Sequence, residues 1–395
     1  MQNPTPTQSD LAKPRVLHVA SWFPSRMHGS LGNFIARHIA AISSRTGDAA
    51  VIAAIPVPKH RLGGIPPGFD EPTPLEGAEN VTLLRAYFAE RKPAVLGMTR
   101  TLMQLAHRWV ATTGKRPDIV HLHVSYPAGA AARRLADRYG VPLVVTEHWT
   151  ALGPAAQAKL PFWVRRSVRL TLRRAAVVSP VSADLGRELG RFGLKKDQTQ
   201  IIPNVVNTHR FRHAPDTHRR HTLLHVSSML DGQKNVTGML EAFARALPRL
   251  PDDAHFTLIG QQQTERHRAT AERLGIAHRI TLRGGLPPDA VAAAMRESWA
   301  FVLFSRYENF PCVLPEAWAS GLPVIAPAVG GIAEALATRP DRGILLDGTS
   351  LENAMVQAFE EDWQRDAMRA FAEAHFSIPA VAGAYAAVYQ QCLAR

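Results

Sequence analysis

The chain has 395 residues, 46% of them hydrophobic and 20% charged, a length that predicts two domains and a composition that excludes an extensively disordered or collagen-like chain. Its two cysteines, Cys312 and Cys392, exclude a disulfide framework and a thiolate zinc site, so a reducing cytoplasm is the expected location. The formal net charge of +13 is unevenly placed: residues 1–205 carry 27 Lys+Arg against 13 Asp+Glu, and residues 206–395 carry 19 against 20, which argues against a protein that tracks nucleic acid along its whole length.

The first segment, MQNPTPTQSDLAKP, is polar and proline-broken and reads as a disordered leader without a secretion signal. RVLHVASWF (15–23) predicts a strand, SRMHGSLGN (25–33) a glycine turn and FIARHIAAI (34–42) a helix. AAVIAAIPV, NVTLLRAYF, DIVHLHV and VPLVVTEH continue as short apolar strands, with helical stretches such as TRTLMQLAHRWVATTG and AGAAARRLADRYG between them. The run AAVIAAI (49–55) is stopped by Pro56 and Pro58 and is too short to span a bilayer. Residues 59–80 are rich in Gly and Pro and read as a long surface loop. The stretch KLPFWVRRSVRLTLRRAAVV (159–178) predicts a basic amphipathic helix, with Arg165, Arg169 and Arg173 on one face and Val164, Val168 and Leu172 on another. That helix makes an anionic membrane surface a candidate partner of the first half.

The pattern restarts at HTLLHVSSM (221–229), whose LHVSSM echoes LHVASW at 17–22. AHFTLIG, RITLRG, AFVLFS, PVIAP and GILLD supply further strands, alternating with helices such as NVTGMLEAFARAL and PDAVAAAMRES. The alternation predicts an α/β protein of two doubly wound, Rossmann-like domains, 1–205 and 206–376, with a C-terminal helix (377–395) returning to the first. Between them, NTHRFRHAPDTHRRHT (207–222) holds His209, His213, His218 and His221, which lack an apolar period and a carboxylate set and read as a polar linker, with no metal expected.

The densest chemistry lies in SRYENFPCVLPEAWASGLPVIAPAVGGIAE (305–334), where Glu308 and Glu316 are separated by seven residues and a glycine pair follows a strand. In a doubly wound sheet ligands gather at the carboxyl ends of the strands, and a nucleotide is the expected guest. This stretch is similar to the signature of retaining family 4 glycosyltransferases of the GT-B fold, in which two Rossmann-like domains face each other across a cleft. VSPVSADL (178–185), IIPNVVNTHRF (201–211) and QKNVTGMLEAF (233–243) resemble other segments of that family, so the likeness covers nearly the whole chain.

The resemblance implies a metal-independent, retaining transfer of a sugar from a UDP- or GDP-sugar to a glycan or lipid-linked acceptor in cell-surface polysaccharide synthesis. No cofactor is expected beyond the nucleotide sugar. It implies that Glu316 accepts hydrogen bonds from the ribose hydroxyls and that Glu308 meets the transferred sugar. Backbone amides around Asn309, Phe310 and Cys312 would hold that sugar, and Lys234 would neutralise the departing diphosphate. Gly32 would let the diphosphate approach from the first domain, Leu282 would lie near the base, and His123 and His148 would meet sugar or acceptor. Met229 stands where the family usually has an arginine, which removes one phosphate cation, and Pro311 has no amide to donate. Val205 and Asn207 stand where glycine and aspartate are frequent. Two other readings stay open: a catalytically silent nucleotide- or glycan-binding homologue, and a nicotinamide-dependent oxidoreductase, against which stands the lack of a G-x-G-x-x-G after either opening strand.

Overall fold

The computed structural model describes residues 13–214, 218–337 and 340–395. The leader read at the N-terminus lies almost wholly outside these residues. The described chain forms two compact units: one from the described part of Met1–Val181 with Gly186–Ile202 and Val381–Arg395, the other from Ser182–Leu185 and Pro203–Ala380.

In the first unit six parallel strands form the sheet: β1 (Val16–Ala20), β2 (Ala49–Val57), β5 (Ala78–Ala89), β6 (Ile119–His123), β7 (Leu143–Glu147) and β8 (Val177–Pro180), in the order β5-β2-β1-β6-β7-β8. The runs are largely apolar because helices cover a parallel sheet on both faces, and β1, β6 and β7 are buried throughout, their few polar side chains included. Residues 59–80, expected as loop, carry two short strands, β3 (Gly68–Phe69) and β4 (Thr73–Leu75), which pair antiparallel with β5. Strands of two and three residues leave no alternation to read, and only the long edge of β5 orders them. The basic helix spans Phe162–Arg174 and buries Val164, Val168 and Leu172, as its pattern predicts.

The second unit repeats the topology with β9 (Thr222–Val226), β10 (His255–Ile259), β11 (Ile280–Arg283), β12 (Ala300–Val302), β13 (Val324–Pro327) and β14 (Gly343–Leu346), ordered β11-β10-β9-β12-β13-β14. The sequence echo now has a meaning. LHVASW and LHVSSM build β1 and β9, the strands from which winding departs in both directions, and each therefore borders a topological switch point. Ser182–Leu185 joins this unit because the Glu334 carboxylate accepts from the amides of Ala183 (2.8 Å) and Asp184 (3.0 Å) at the start of a helix.

The histidine-rich junction is more structured than a polar linker. His213 Nδ1 lies 3.0 Å from His218 Nε2 with the rings stacked, and His218 Nδ1 donates to the Ser298 carbonyl at 2.7 Å. Burial pushes the His218 pKa down to about 4 and lowers that of His213, which the nearby Asp366 carboxylate opposes, and the two rings pack together half-buried. His221 turns away to Asp253, 2.7 Å distant. Asn207 does what an aspartate would do, its side-chain oxygen accepting from the amides of His209 and Arg210 at 3.1 Å each.

Candidate active site

In the second unit the switch point lies between β9 and β12, and the loops leaving their carboxyl ends carry the candidate residues. After β9 the chain passes Met229 in a left-handed turn (φ 64°) and forms a single helical turn, Asp231–Lys234. Asp231 secures the turn by accepting the Thr237 amide at 2.7 Å. Lys234 projects from its end and forms an ion pair with Glu308, which lies on the loop after β12. Both side chains are largely enclosed, 13% exposed for the lysine and 6% for the glutamate. The two loops are also joined through the main chain, the Arg306 amide donating to the Gln233 carbonyl at 2.8 Å.

Glu316 sits in the helix Val313–Ala319 and is buried with it. The Glu-seven-Glu spacing places one carboxylate in the loop and the other in the helix that directly follows, so both belong to the same strand end. Asn309 and Phe310 are held from behind: the Asn309 carbonyl accepts from the Gly331 amide (2.7 Å), and the Phe310 carbonyl accepts from Asn204 (2.6 Å). Cys312 caps the helix. The glycine pair that ends the signature is explained here. A Cβ on Gly330 would lie 1.9 Å from the Glu308 carbonyl, and one on Gly331 would lie 2.3 Å from that of Asn309. Only glycine lets β13's exit loop support the loop of Glu308.

Leu282 lies on β11 at the edge of the same sheet, half-buried against the core. The Met229 side chain is wholly buried in that core, and its carbonyl accepts from His267 at 2.9 Å. A side chain at 229 therefore serves packing here, and the loop Ser227–Asn235 carries Lys234 as its single cation.

The first unit has its own cluster at the corresponding place, between β1 and β6. His18, His121 and His123 are fully buried, with one ring nitrogen of each within 4.8 Å of the other two. His123, expected to meet a ligand, hydrogen-bonds through Nε2 to His18 Nδ1 at 3.1 Å. His121 bridges Tyr389 and Thr146 at 2.7 Å each, and Thr146 reaches Tyr385 at 2.7 Å. The two tyrosines come from the helix Ile378–Leu393, so this chain of hydroxyls and imidazoles fastens that helix to the sheet. Burial holds all three histidines far below their usual pKa, His18 at about 3. Neutral imidazoles are metal ligands in principle, but both nitrogens of His121 are already bonded to hydroxyls and its ring stacks on His123. The donor set fits a hydrogen-bonded network better than a coordination shell.

His148 is half-buried, with its ring against Phe34 (4.6 Å) and His38 (5.2 Å). The residue before it, absent from the sequence reading, organises the strand end. Glu147 is fully buried and accepts from the amides of Ser125 (2.9 Å), His148 (3.0 Å) and Trp149 (2.9 Å). Burial raises its pKa and these three bonds oppose the rise. A carboxylate ending the apolar run VPLVVTEH was the available signal. Gly32 adopts φ 79° before the helix Asn33–Ser43, and a Cβ there would lie 2.6 Å from the Trp22 carbonyl. The backbone after β1 therefore requires glycine by itself, whether or not a ligand approaches.

Two family models match the chain, "Glycosyltransferase Family 4" over residues 60–210 and "Glycosyl transferases group 1" over residues 220–362. D-inositol 3-phosphate glycosyltransferase of Acidothermus cellulolyticus is 26% identical over 254 residues, covering 58% of this chain and 56% of that protein. Glycogen synthase of Mycobacterium tuberculosis is 25% identical over 353 residues, covering 82% and 80%. The chain spans only 56% to 59% of the length of the inositol-phosphate enzymes it matches first. In fold it is similar to a sucrose-phosphate synthase from Thermosynechococcus elongatus, with a TM-score of 0.76 at 19% identity, covering 96% of this chain and 99% of that one. It is also similar to Anabaena HepE in complex with UDP-glucose, with a TM-score of 0.69 at 18% identity, covering 96% and 100%. With glycosyltransferase family models matched over residues 60–210 and 220–362, together most of the chain, and a fold similar to these solved structures, the chain belongs to the family 4, group 1 glycosyltransferases.

Proposed function

We propose that the protein transfers a sugar from a nucleoside-diphosphate sugar to a glycan or lipid-linked acceptor, with retention of configuration and without a metal. The observation that carries this reading is the joining of Lys234 to Glu308, with Glu316 in the next helix, at the carboxyl ends of the two strands flanking a switch point. The chemistry each can perform follows from its type. A fixed carboxylate in the helix suits two vicinal ribose hydroxyls. The loop carboxylate suits the hydroxyls of the sugar. The lysine, relieved of Glu308 as that carboxylate engages the sugar, meets the charge that develops on the departing diphosphate. Solved structures of similar fold hold UDP or UDP-glucose, which supports a nucleotide donor for this chain.

The acceptor reading rests on the first unit. Its basic helix presents Phe162 and Trp163 at 75% and 59% exposure next to Arg166, Arg169 and Arg173, a combination suited to an anionic bilayer in which a lipid-linked acceptor would lie. The test is calorimetry and product release with UDP-, GDP- and ADP-sugars. Saturable binding of one donor with acceptor-dependent release of its nucleoside diphosphate is the expected result. Binding without turnover against any glycan or lipid acceptor would leave a silent binding homologue as the better reading, and reduction of a nicotinamide cofactor instead would replace both.

A further inference from the structure

The proposed donor site has a charge problem. A nucleoside diphosphate brings more than one negative charge, and Lys234 arrives already paired with Glu308. The two loops that flank the switch point, 227–235 and 303–312, contain only one other cation, Arg306. Its position is fixed from two directions. The main-chain amide donates to the Gln233 carbonyl at 2.8 Å, and Nη2 of the guanidinium donates to Asn235 Oδ1 at 2.6 Å. Asn235 directly follows Lys234 and holds a left-handed conformation (φ 53°) that closes the turn. The guanidinium is therefore tied to the residue next to the lysine. Among the described residues no carboxylate pairs with it, and the residue is exposed. Arg266, which reaches the same turn, differs on that point because it lies 3.5 Å from the Asp231 carboxylate.

We propose that Arg306 is the second diphosphate-binding cation of this site, supplied by the loop after β12 because position 229 on the loop after β9 is committed to the core. A guanidinium suits the role, since its fork binds two phosphate oxygens at once and stays charged at any working pH. In the free protein a neutral amide oxygen holds it in place. It can exchange that single bond for phosphate without breaking an ion pair, whereas Lys234 must leave Glu308. This inference rests on the nucleotide-sugar reading of the same residues.

The test is calorimetry on the full chain with UDP, GDP and ADP, and with the monophosphate of whichever binds. Arg306→Gln is expected to weaken the nucleoside diphosphate by about tenfold to hundredfold, the loss of a charge-assisted hydrogen-bond pair, and the monophosphate by no more than about threefold. Arg306→Lys should fall between, and the dependence of affinity on salt should become shallower in Arg306→Gln. Arg266→Gln should match the wild type, and equal thermal midpoints would show that the variants fold. Unchanged diphosphate affinity in Arg306→Gln, or an equal loss of mono- and diphosphate, would overturn the assignment while leaving the donor reading in place. If the wild-type chain bound no nucleoside diphosphate at all, the donor reading itself would fall, and this inference with it.

Discussion

Replacing Glu308 by glutamine separates what the carboxylate does for the fold from what it does for the reaction. The Lys234–Glu308 pair is nearly enclosed, with 13% and 6% of the two side chains exposed, so removing one charge strands the other in a poorly hydrated place. Breaking such a pair costs about 3 to 5 kcal/mol when fully buried, and the residual water access of Lys234 argues for the lower end, about 3 kcal/mol. A domain of this size moves by about 2 to 4 °C per kcal/mol, so the unfolding midpoint of the second unit should drop by roughly 6 to 12 °C. Lys234→Met should cost a similar amount, because it strands the carboxylate instead. The double variant should be less destabilised than the two single losses added together, since no charge is then left alone. Ligand binding makes the two single variants diverge. In Glu308→Gln the freed lysine is available to phosphate, so free nucleoside diphosphate should bind at least as tightly as to the wild type and restore much of the lost midpoint. Turnover of the nucleotide sugar should nevertheless fall, by about 10² or more, because the sugar has lost its carboxylate. Differential scanning calorimetry with and without ligand, followed by steady-state kinetics, reads these quantities. An unchanged midpoint in Glu308→Gln would show that the pair contributes nothing to the fold, and loss of nucleoside-diphosphate binding in that variant would refute the division of labour between the two residues.

Glu316→Gln should weaken free nucleotide and nucleotide sugar alike, by about 1.5 to 3 kcal/mol, because both carry the ribose; calorimetry that shows loss of the sugar donor alone would reverse the assignment. Gly330→Ala would drive a Cβ to 1.9 Å from the Glu308 carbonyl and should displace that loop, so donor turnover should collapse while the first unit keeps its thermal transition. Phe162→Ser with Trp163→Ser, or Arg166, Arg169 and Arg173 to Gln, should reduce co-sedimentation with anionic vesicles without affecting nucleotide affinity, and added salt should weaken what remains. Acid should destabilise the protein through its buried histidines. His18 at about 3 and His218 and His225 at about 4 lie below the ordinary value of 6.5, so the unfolded chain binds more protons as pH falls below 6.5. Their stabilisation is complete above 6.5 and is lost on the way down to about 4 for His218 and His225 and about 3 for His18, at no more than about 1.4 kcal/mol per pH unit for the fully buried His18 and His225 and less for the half-buried His218, whose contact with water screens it. Thermal midpoints from pH 7 to pH 5 check this, and a flat profile would refute it.

Much of the fold is written in local pattern. Short apolar runs alternating with amphipathic helices specify a parallel sheet covered on both faces, since no other architecture buries such strands throughout. The echo of LHVASW in LHVSSM marks the strand from which each sheet is wound. The spacing of Glu308 and Glu316 puts a loop and the following helix at one strand end, because the strand, loop and helix concerned are contiguous in sequence. The sequence also shows that the basic charge belongs to the first half and that Val164, Val168 and Leu172 share a face.

Tertiary structure decided what depends on residues far apart in the chain. Lys234 and Glu308 are 74 positions apart, and their pairing exists because β9 and β12 are neighbours in the sheet. His18 and His123 are 105 positions apart, yet adjacency of β1 and β6 turns a strand-end histidine into one member of a buried neutral network, and His121 of that network reaches Tyr389 on a helix 268 positions away. The same dependence hid Glu147, whose three amide partners lie partly on another strand's exit loop, and Arg306, whose place beside Lys234 is set by Gln233 and Asn235 on the facing loop. Strand order fixes all of these contacts. It follows from how the whole sheet excludes water, and no window of sequence contains it.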